Sequence, residues 1–148
     1  MADAAVVDVS SMVEPAKVLM EAAGFDLLDH RNRDYPNEAV GIICADGTCY
    51  PLINQARSPT RYEVSTILVG EAIEILSNRN LSPIAVYHSH PTSSSDPSAR
   101  DSMMMSEIPG ALFIIIGNDG IAAWTWNGKL QSVVKIPLPV KASNVEPS

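Results

Sequence analysis

The stretch PIAVYHSHPTSSSDPSARD, residues 83–101, decides the interpretation of this sequence because an apolar run passes directly into a polar loop. Residues 83–87 form a short apolar run, which predicts a buried strand. The proline and serines of the loop predict a turn of the chain. Asp96 and Pro97 are typical of a helix N-cap followed by a first helical residue, so we expect a helix from about Pro97 to Met105.

Two histidines and an aspartate in this stretch have the spacing of metal ligands. Since successive strand residues point to opposite faces, His88 and His90 are expected on one face at the end of the strand. Ser98 and Asp101 are three residues apart, so both are expected on the same side of the first helical turn. Two nitrogens and one carboxylate oxygen form the three-ligand set of a catalytic zinc site. Such donors suit an ion that acts as a Lewis acid and lowers the pKa of bound water to about 7.

A hydrolytic site of this kind also needs a proton acceptor and a hydrogen-bond donor. Glu38 lies at the predicted boundary between the first helix and the first strand and is the candidate base that passes a proton to the leaving amine. Ser98 is the candidate donor to the oxyanion of the scissile carbonyl. Glu14, Glu21 and Glu63 are weaker candidates for the base.

The rest of the chain predicts a sheet with helices packed on it. A helix is expected from Glu14 to Arg33, where Gly24 can split it in two, and another is expected to begin at Ser65. Together with residues 83–87, a sheet of about six strands flanked by two or three helices is expected, an α+β or α/β class. The further expected strands are residues 39–45, 48–53, 111–116, 121–126 and 130–136, with a short one at 61–64.

The composition indicates one acidic domain. The chain has 148 residues, 46% of them hydrophobic and 18% charged, which is enough apolar material for a core. Ten Lys and Arg against 17 Asp and Glu give a net charge of −7, so we expect no nucleic acid and no membrane as partners. No apolar run approaches the ~20 residues that cross a bilayer, and the N-terminus lacks the basic residues of a signal peptide. We therefore expect a soluble, cytoplasmic protein.

Glu38 together with the pattern His-x-His-Pro-x₆-Ser-x-x-Asp at residues 88–101 resembles the JAMM motif of the MPN+ (JAB1/Mov34) zinc metalloproteases. The resemblance implies the JAB1/MPN (cytidine-deaminase-like) fold, a curved, mostly antiparallel sheet flanked by helices. It also implies three zinc ligands, a general base that activates the zinc-bound water, and a group that stabilises the tetrahedral intermediate. The implied zinc ligands are His88, His90 and Asp101. The implied general base is Glu38, and the implied stabilising group is Ser98.

The resemblance covers a domain of residues 25–140, which leaves residues 1–24 as an N-terminal extension without an assigned role and residues 141–148 as a flexible tail. Members of the family cut amide and isopeptide bonds, often next to the C-terminal tails of ubiquitin-like proteins. The short predicted loops suit a compact prokaryotic type. That type is either a peptidase acting on ubiquitin-like or sulfur-carrier proteins, or a phage tail-assembly protein in host cytoplasm or virion tail. The oligomeric state is left open.

The remaining chemistry-bearing residues have ordinary explanations. Cys44 and Cys49 are expected to face each other across the first hairpin as small buried thiols. A structural zinc site that combines them with the two histidines is the alternative, but the histidines are too close together in sequence for it. His30 is expected on a helix surface. Trp124 and Trp126 share a strand face and either line a groove for a substrate tail or pack in the core.

Overall fold

The computed structural model describes residues 8–140, and within that range it contains three helices and six strands. The predicted tail at residues 141–148 lies outside the described residues. No helix in residues 8–140 is both long and apolar enough to span a membrane. The elements in chain order are α1 (Val9–Asp34), β1 (Val40–Cys44), β2 (Cys49–Leu52), α2 (Thr66–Asn78), β3 (Pro83–Ser89), α3 (Ala99–Ser106), β4 (Leu112–Ile116), β5 (Ile121–Trp126) and β6 (Leu130–Ile136).

The six strands form one open sheet in the order β2-β1-β3-β4-β5-β6. Only β3 and β4 run parallel among these neighbours, and the other pairs are antiparallel. A parallel pair needs a crossover connection, which here contains α3. The crossover brings the chain from the end of β3 directly into the start of α3. The predicted α+β class with a mostly antiparallel sheet is therefore confirmed.

The helices cover opposite faces of the sheet. Ile43, Tyr87 and Ile114 point to the face that packs against α1, where Met20 and Leu27 are fully buried. Their chain neighbours Ile42 and Ile115 point to the other face, where α2 and α3 lie. This alternation follows from the pleat of a β-strand. His88, the neighbour of Tyr87, is therefore on the face that carries α3.

Helix α1 is continuous, so Gly24 does not split it in two. The helix begins at Val9 because the Asp8 side chain caps it by accepting a hydrogen bond from the Ser10 backbone N–H. A glycine inside a helix costs about 1 kcal/mol, which the packing of the buried face outweighs. The expected division between residues 24 and 25 falls inside this helix. The expected domain limits, residues 25–140, remain a prediction.

The two cysteines do not face each other. In the β1–β2 hairpin Ile43 pairs with Cys49, and the Cys44 N–H donates to the Thr48 carbonyl. A register that differs by one residue sends a side chain to the other face. Cys44 therefore packs beside α2 and Cys49 packs toward α1, both as free thiols.

Three further expectations are corrected. Residues 61–64 form no strand, because their backbone bonds to the Asn54 side chain and to Gln55 instead of to a neighbouring strand. Helix α3 is capped by Ser98 and not by Asp96. His30 is buried, with its Nδ1 2.6 Å from the Tyr87 hydroxyl and its Nε2 3.0 Å from Asp34 Oδ2.

Gly41 in β1 allows the close approach of the Tyr87 ring, which lies on the neighbouring strand. A Cβ at position 41 would lie 2.3 Å from the Tyr87 hydroxyl oxygen. Tyr87 is fully buried and its hydroxyl is bonded to His30, so the ring cannot move away freely.

Gly41→Ala is expected to lower the free energy of unfolding by about 1–3 kcal/mol, the usual cost of overpacking a core. Gly70→Ala is the matched control, because Gly70 lies in α2 and a Cβ there meets no atom within 4 Å. It should raise the free energy of unfolding by about 0.5–1 kcal/mol through helix propensity. Urea unfolding of both variants measures the difference. Equal stability of the two variants would contradict this role of Gly41.

Candidate metal and catalytic site

The end of β3 carries both histidines of the motif. His88 is the sixth residue of β3 and lies between Val40 of β1 and Ile115 of β4, with 1% of its surface exposed. Ser89 ties this end of β3 to the start of β1: its Oγ accepts from the Ala39 N–H at 2.7 Å, and its own N–H donates to the Ala39 carbonyl at 2.9 Å. The strand end and the residue preceding Ala39 are thus held side by side.

The start of α3 supplies the carboxylate. Ser98 Oγ accepts from the Asp101 N–H at 3.1 Å, and Asp101 Oδ2 accepts from the Ser98 N–H at 3.0 Å. This reciprocal capping box satisfies backbone donors of the first helical turn and directs the carboxylate back toward the helix start. Because the crossover begins at the end of β3, that carboxylate reaches the histidines.

Three atoms converge at this point. The Nε2 atoms of His88 and His90 are 3.2 Å apart, and they lie 3.0 and 2.9 Å from Asp101 Oδ2. All three residues are buried, and they form the one candidate metal-binding group found among the described residues. The sequence-based expectation that these residues meet is therefore confirmed in geometry.

The ring orientation of His90 leaves an electron pair facing the other two atoms. Its Nδ1 lies 2.7 Å from the Ser94 carbonyl oxygen, which only accepts, so Nδ1 carries the proton. In neutral His90, Nε2 is then an acceptor that faces the acceptor oxygen of Asp101. Such an arrangement is favourable only when a proton or a metal ion lies between the atoms.

The charges of the triad follow from burial and mutual contact. Burial lowers the pKa of His88. Burial also opposes charge on His90, but its hydrogen bonds with Asp101 and Ser94 outweigh that effect and raise its pKa. For Asp101 the desolvation that favours the neutral form is overcome by the hydrogen bonds of the two histidines, which hold its pKa well below the usual range. An anionic carboxylate beside two imidazoles attracts a cation.

The donor set fits zinc. Ligands at ~2.0–2.1 Å in tetrahedral geometry lie about 3.3 Å from one another, close to the 2.9–3.2 Å separations of these three atoms. Three protein ligands leave one tetrahedral position for water. The hydrogen bond from His90 to Ser94 is the kind of support that orients metal-binding imidazoles.

Glu38 lies next to the triad, two residues before the start of β1. It is 3% exposed, and its Oε1 is buried without a hydrogen-bond partner. Burial raises the pKa of Glu38 from 4.5 to about 7, while the charges of His90 and Asp101 act on it in opposite directions. A buried carboxylate with a free oxygen and a pKa near neutrality is suited to accept and release a proton.

Ser98 and the three alternative bases all lie at the surface. Ser98 is solvent-exposed, and its Oγ accepts from the Asp101 N–H, which leaves the hydroxyl hydrogen free to donate outward. The alternative bases Glu14, Glu21 and Glu63 are all exposed. Glu63 pairs with Arg61.

Two residues near the site make contacts that the sequence analysis did not predict. The Tyr62 ring packs against His88 with ring centroids 4.9 Å apart, and its hydroxyl contacts Met104 Sδ. Asn54 is buried and donates to the Glu38 carbonyl while it also holds the loop that carries Tyr62. The contacts of Tyr62 and Asn54 join residues that are far apart in sequence, so no local pattern predicts them.

Two depressions adjoin the site. A polar cleft of about 390 Å³ between the end of α1 and β2 is lined by Glu38, His30 and Asn54, among others. An apolar groove of about 360 Å³ begins at Tyr62 and runs between α2 and α3. Trp124 and Trp126 pack against the buried cluster of Met105 and Phe113, so they are part of the packing around α3.

Comparisons with curated proteins identify relatives of this chain. It is 28% identical over 99 residues to the CysO-cysteine peptidase of Mycobacterium tuberculosis, covering 61% of this chain and 65% of that protein. It is 33% identical over 100 residues to a probable TtuB-protein conjugate cleaving protease of Thermus thermophilus, covering 64% and 66%. The desampylase of Haloferax volcanii is 33% identical over 106 residues, covering 64% and 73%. The chain thus spans somewhat less than two thirds of the mycobacterial relative.

A solved structure shares the fold. The solution structure of a Desulfitobacterium hafniense protein aligns with a TM-score of 0.65 and 23% identity, covering 78% of this chain and 86% of that one. The sequence model of the family described as prokaryotic homologs of the JAB domain matches residues 25–127, which is more than half of the chain. The chain therefore belongs to the family of prokaryotic JAB-domain proteins.

Proposed function

We propose that this protein is a zinc-dependent peptidase or isopeptidase that hydrolyses an amide bond next to the C-terminal tail of a ubiquitin-like or sulfur-carrier type protein. The observation that carries the proposal is the unpartnered, buried Oε1 of Glu38 beside the His88, His90 and Asp101 triad. A purely structural metal site needs no such carboxylate. A hydrolytic site needs one as its base.

Each residue has one task in this mechanism. His88, His90 and Asp101 would hold the ion, which supplies Lewis-acid polarisation of the scissile carbonyl and lowers the pKa of water. Glu38 accepts a proton from the attacking water and delivers it to the leaving amine, which its pKa of about 7 permits in both directions. The Ser98 hydroxyl donates to the carbonyl oxygen as negative charge develops there.

The relatives and the surface support the proposed substrate class. The Thermus thermophilus relative is named for cleavage of a protein conjugate, and the Mycobacterium tuberculosis relative is named a CysO-cysteine peptidase. The polar cleft lined by Glu38 and the apolar groove lined by Tyr62 provide room near the site for an extended chain. The phage tail hypothesis gains no support from these relatives.

The first prediction concerns zinc binding. The wild type should bind one zinc ion, and His88→Ala and Asp101→Ala should weaken binding by more than the roughly 10–100-fold typical of outer-shell changes. Asp96→Ala is the matched control, because Asp96 is an exposed carboxylate of the same loop. Competition with a chromophoric chelator measures the affinities. Unchanged affinity in both triad variants would contradict the assigned ligands.

The second prediction concerns catalysis. With ubiquitin-like fusion or conjugate substrates, Glu38→Gln should lower kcat by about 10²–10⁴-fold, the range for loss of a general base, while zinc content stays at the wild-type level. Glu63→Gln should retain activity because that carboxylate is exposed and paired with Arg61. Cleavage by Glu38→Gln at the wild-type rate would remove Glu38 from the mechanism.

The third prediction concerns the stability of the protein stripped of metal. Since burial raises the pKa of Glu38 from 4.5 to about 7, the folded state disfavours its ionised form, and the wild type loses stability as pH rises through this interval. Glu38→Gln cannot ionise. The free energy of unfolding of Glu38→Gln, taken relative to that of the wild type, should therefore rise by about 1–3 kcal/mol between pH 4.5 and 8. Urea unfolding measures this difference. An advantage independent of pH would contradict the raised pKa.

A further inference from the structure

The orientation of His90 depends on a loop without regular secondary structure. Residues 91–98 form neither helix nor strand, yet the Ser94 carbonyl of this loop accepts the His90 Nδ1–H at 2.7 Å. If Ser94 moved, the imidazole would lose the contact that fixes its proton on Nδ1 and directs Nε2 at Asp101. The loop must therefore be held in place by other parts of the chain.

The β4–β5 hairpin forms hydrogen bonds with this loop at Ser95, the residue that follows Ser94. The Ser95 N–H donates to Asp119 Oδ1 at 2.8 Å, and the Ser95 carbonyl accepts from Trp124 Nε1 at 2.9 Å. The Asn118 N–H donates to the Ser93 carbonyl at 2.9 Å. Both backbone groups of Ser95 are thus bonded to the β4–β5 hairpin, and Ser95 is fully buried.

Gly117 allows this close contact. A Cβ at position 117 would lie 2.2 Å from the Ser95 backbone nitrogen and 2.4 Å from the Ser94 carbonyl carbon. Asp119 in turn pairs with Lys135 of β6, and the hydrogen bonds from Lys135 and from Ser95 hold the pKa of Asp119 at about 2. The aspartate therefore stays ionised and keeps accepting from Ser95 at neutral pH.

We propose that Asp119 and Trp124 form a clamp that fixes Ser94 and thereby positions His90 for metal binding, an inference that rests on the proposed zinc function. Neither residue touches the metal-binding atoms. Both are positioning residues that act through the loop, in the way that outer hydrogen bonds orient ligand imidazoles in metal sites. The hairpin that joins β4 to β5 thus becomes part of the site, although it is distant from it in sequence.

The test compares zinc affinities by chelator competition. Asp119→Ala should weaken zinc binding roughly 10–100-fold, and Trp124→Phe, which keeps the ring but loses the donor, should also weaken it. Asp119→Asn should restore affinity because an amide oxygen can accept from Ser95. Lys135→Ala should bind zinc normally, since it leaves the bond between Asp119 and Ser95 intact.

Asp46→Ala is the matched control for loss of a turn aspartate, because Asp46 accepts from the Thr48 N–H in the β1–β2 hairpin. It should leave zinc affinity unchanged. Wild-type affinity in Asp119→Ala, or an equal loss in Asp46→Ala, overturns the clamp.

A second readout does not need the metal. In the ¹⁵N-labelled, metal-free protein the ring proton on His90 Nδ1 should be protected from solvent exchange in the wild type and unprotected in Asp119→Ala. Protection that persists in Asp119→Ala refutes the clamp whatever the zinc affinities are. If the wild type binds no zinc, the zinc function is refuted. If the His90 ring proton is nevertheless protected in the wild type and unprotected in Asp119→Ala, the clamp is still supported.

Discussion

Two imidazole nitrogens and one carboxylate oxygen are held together at the end of β3, and the rest of the site is organised around this constraint. The Nε2 atoms of His88 and His90 and the Oδ2 of Asp101 lie within 2.9–3.2 Å of one another in a buried position. The lone pair of neutral His90 Nε2 and the Asp101 oxygen repel each other unless a proton or a metal ion lies between them. The β3–α3 crossover, the capping box of α3 and the contact of His90 with Ser94 all act to maintain this arrangement.

Elements on both sides of the sheet help to build the site. The sheet buries its two faces against different helices, so adjacent β3 residues point to different elements. Tyr87 packs toward α1, and His88 contacts Asp101 of α3. Ser89 bonds the end of β3 to Ala39, which places Glu38 beside the triad. The unsatisfied Glu38 carboxylate costs stability in the folded state. Buried polar groups that cost stability in this way are typical of functional sites.

The sequence predicted what depends on local spacing, and it failed where distant contacts decide. Alternation along a strand placed His88 and His90 on one face, and the spacing of Ser98 and Asp101 placed both in one helical turn. The helix start was set two residues too early because Ser98, and not Asp96, has the capping partner. The burial of His30 against Tyr87 and the hold of Asp119 on Ser95 join residues from separate elements, which no local pattern reveals.

The proposed function requires a zinc ion to bind to the imidazoles of His88 and His90 and to Asp101. X-ray absorption at the zinc edge of the zinc-loaded protein tests it most directly. Zinc at this site should show only nitrogen and oxygen neighbours at ~2.0–2.1 Å, with the more distant scattering of two imidazole rings. A sulfur neighbour at ~2.3 Å would place the ion on Cys44 or Cys49 and would contradict the account.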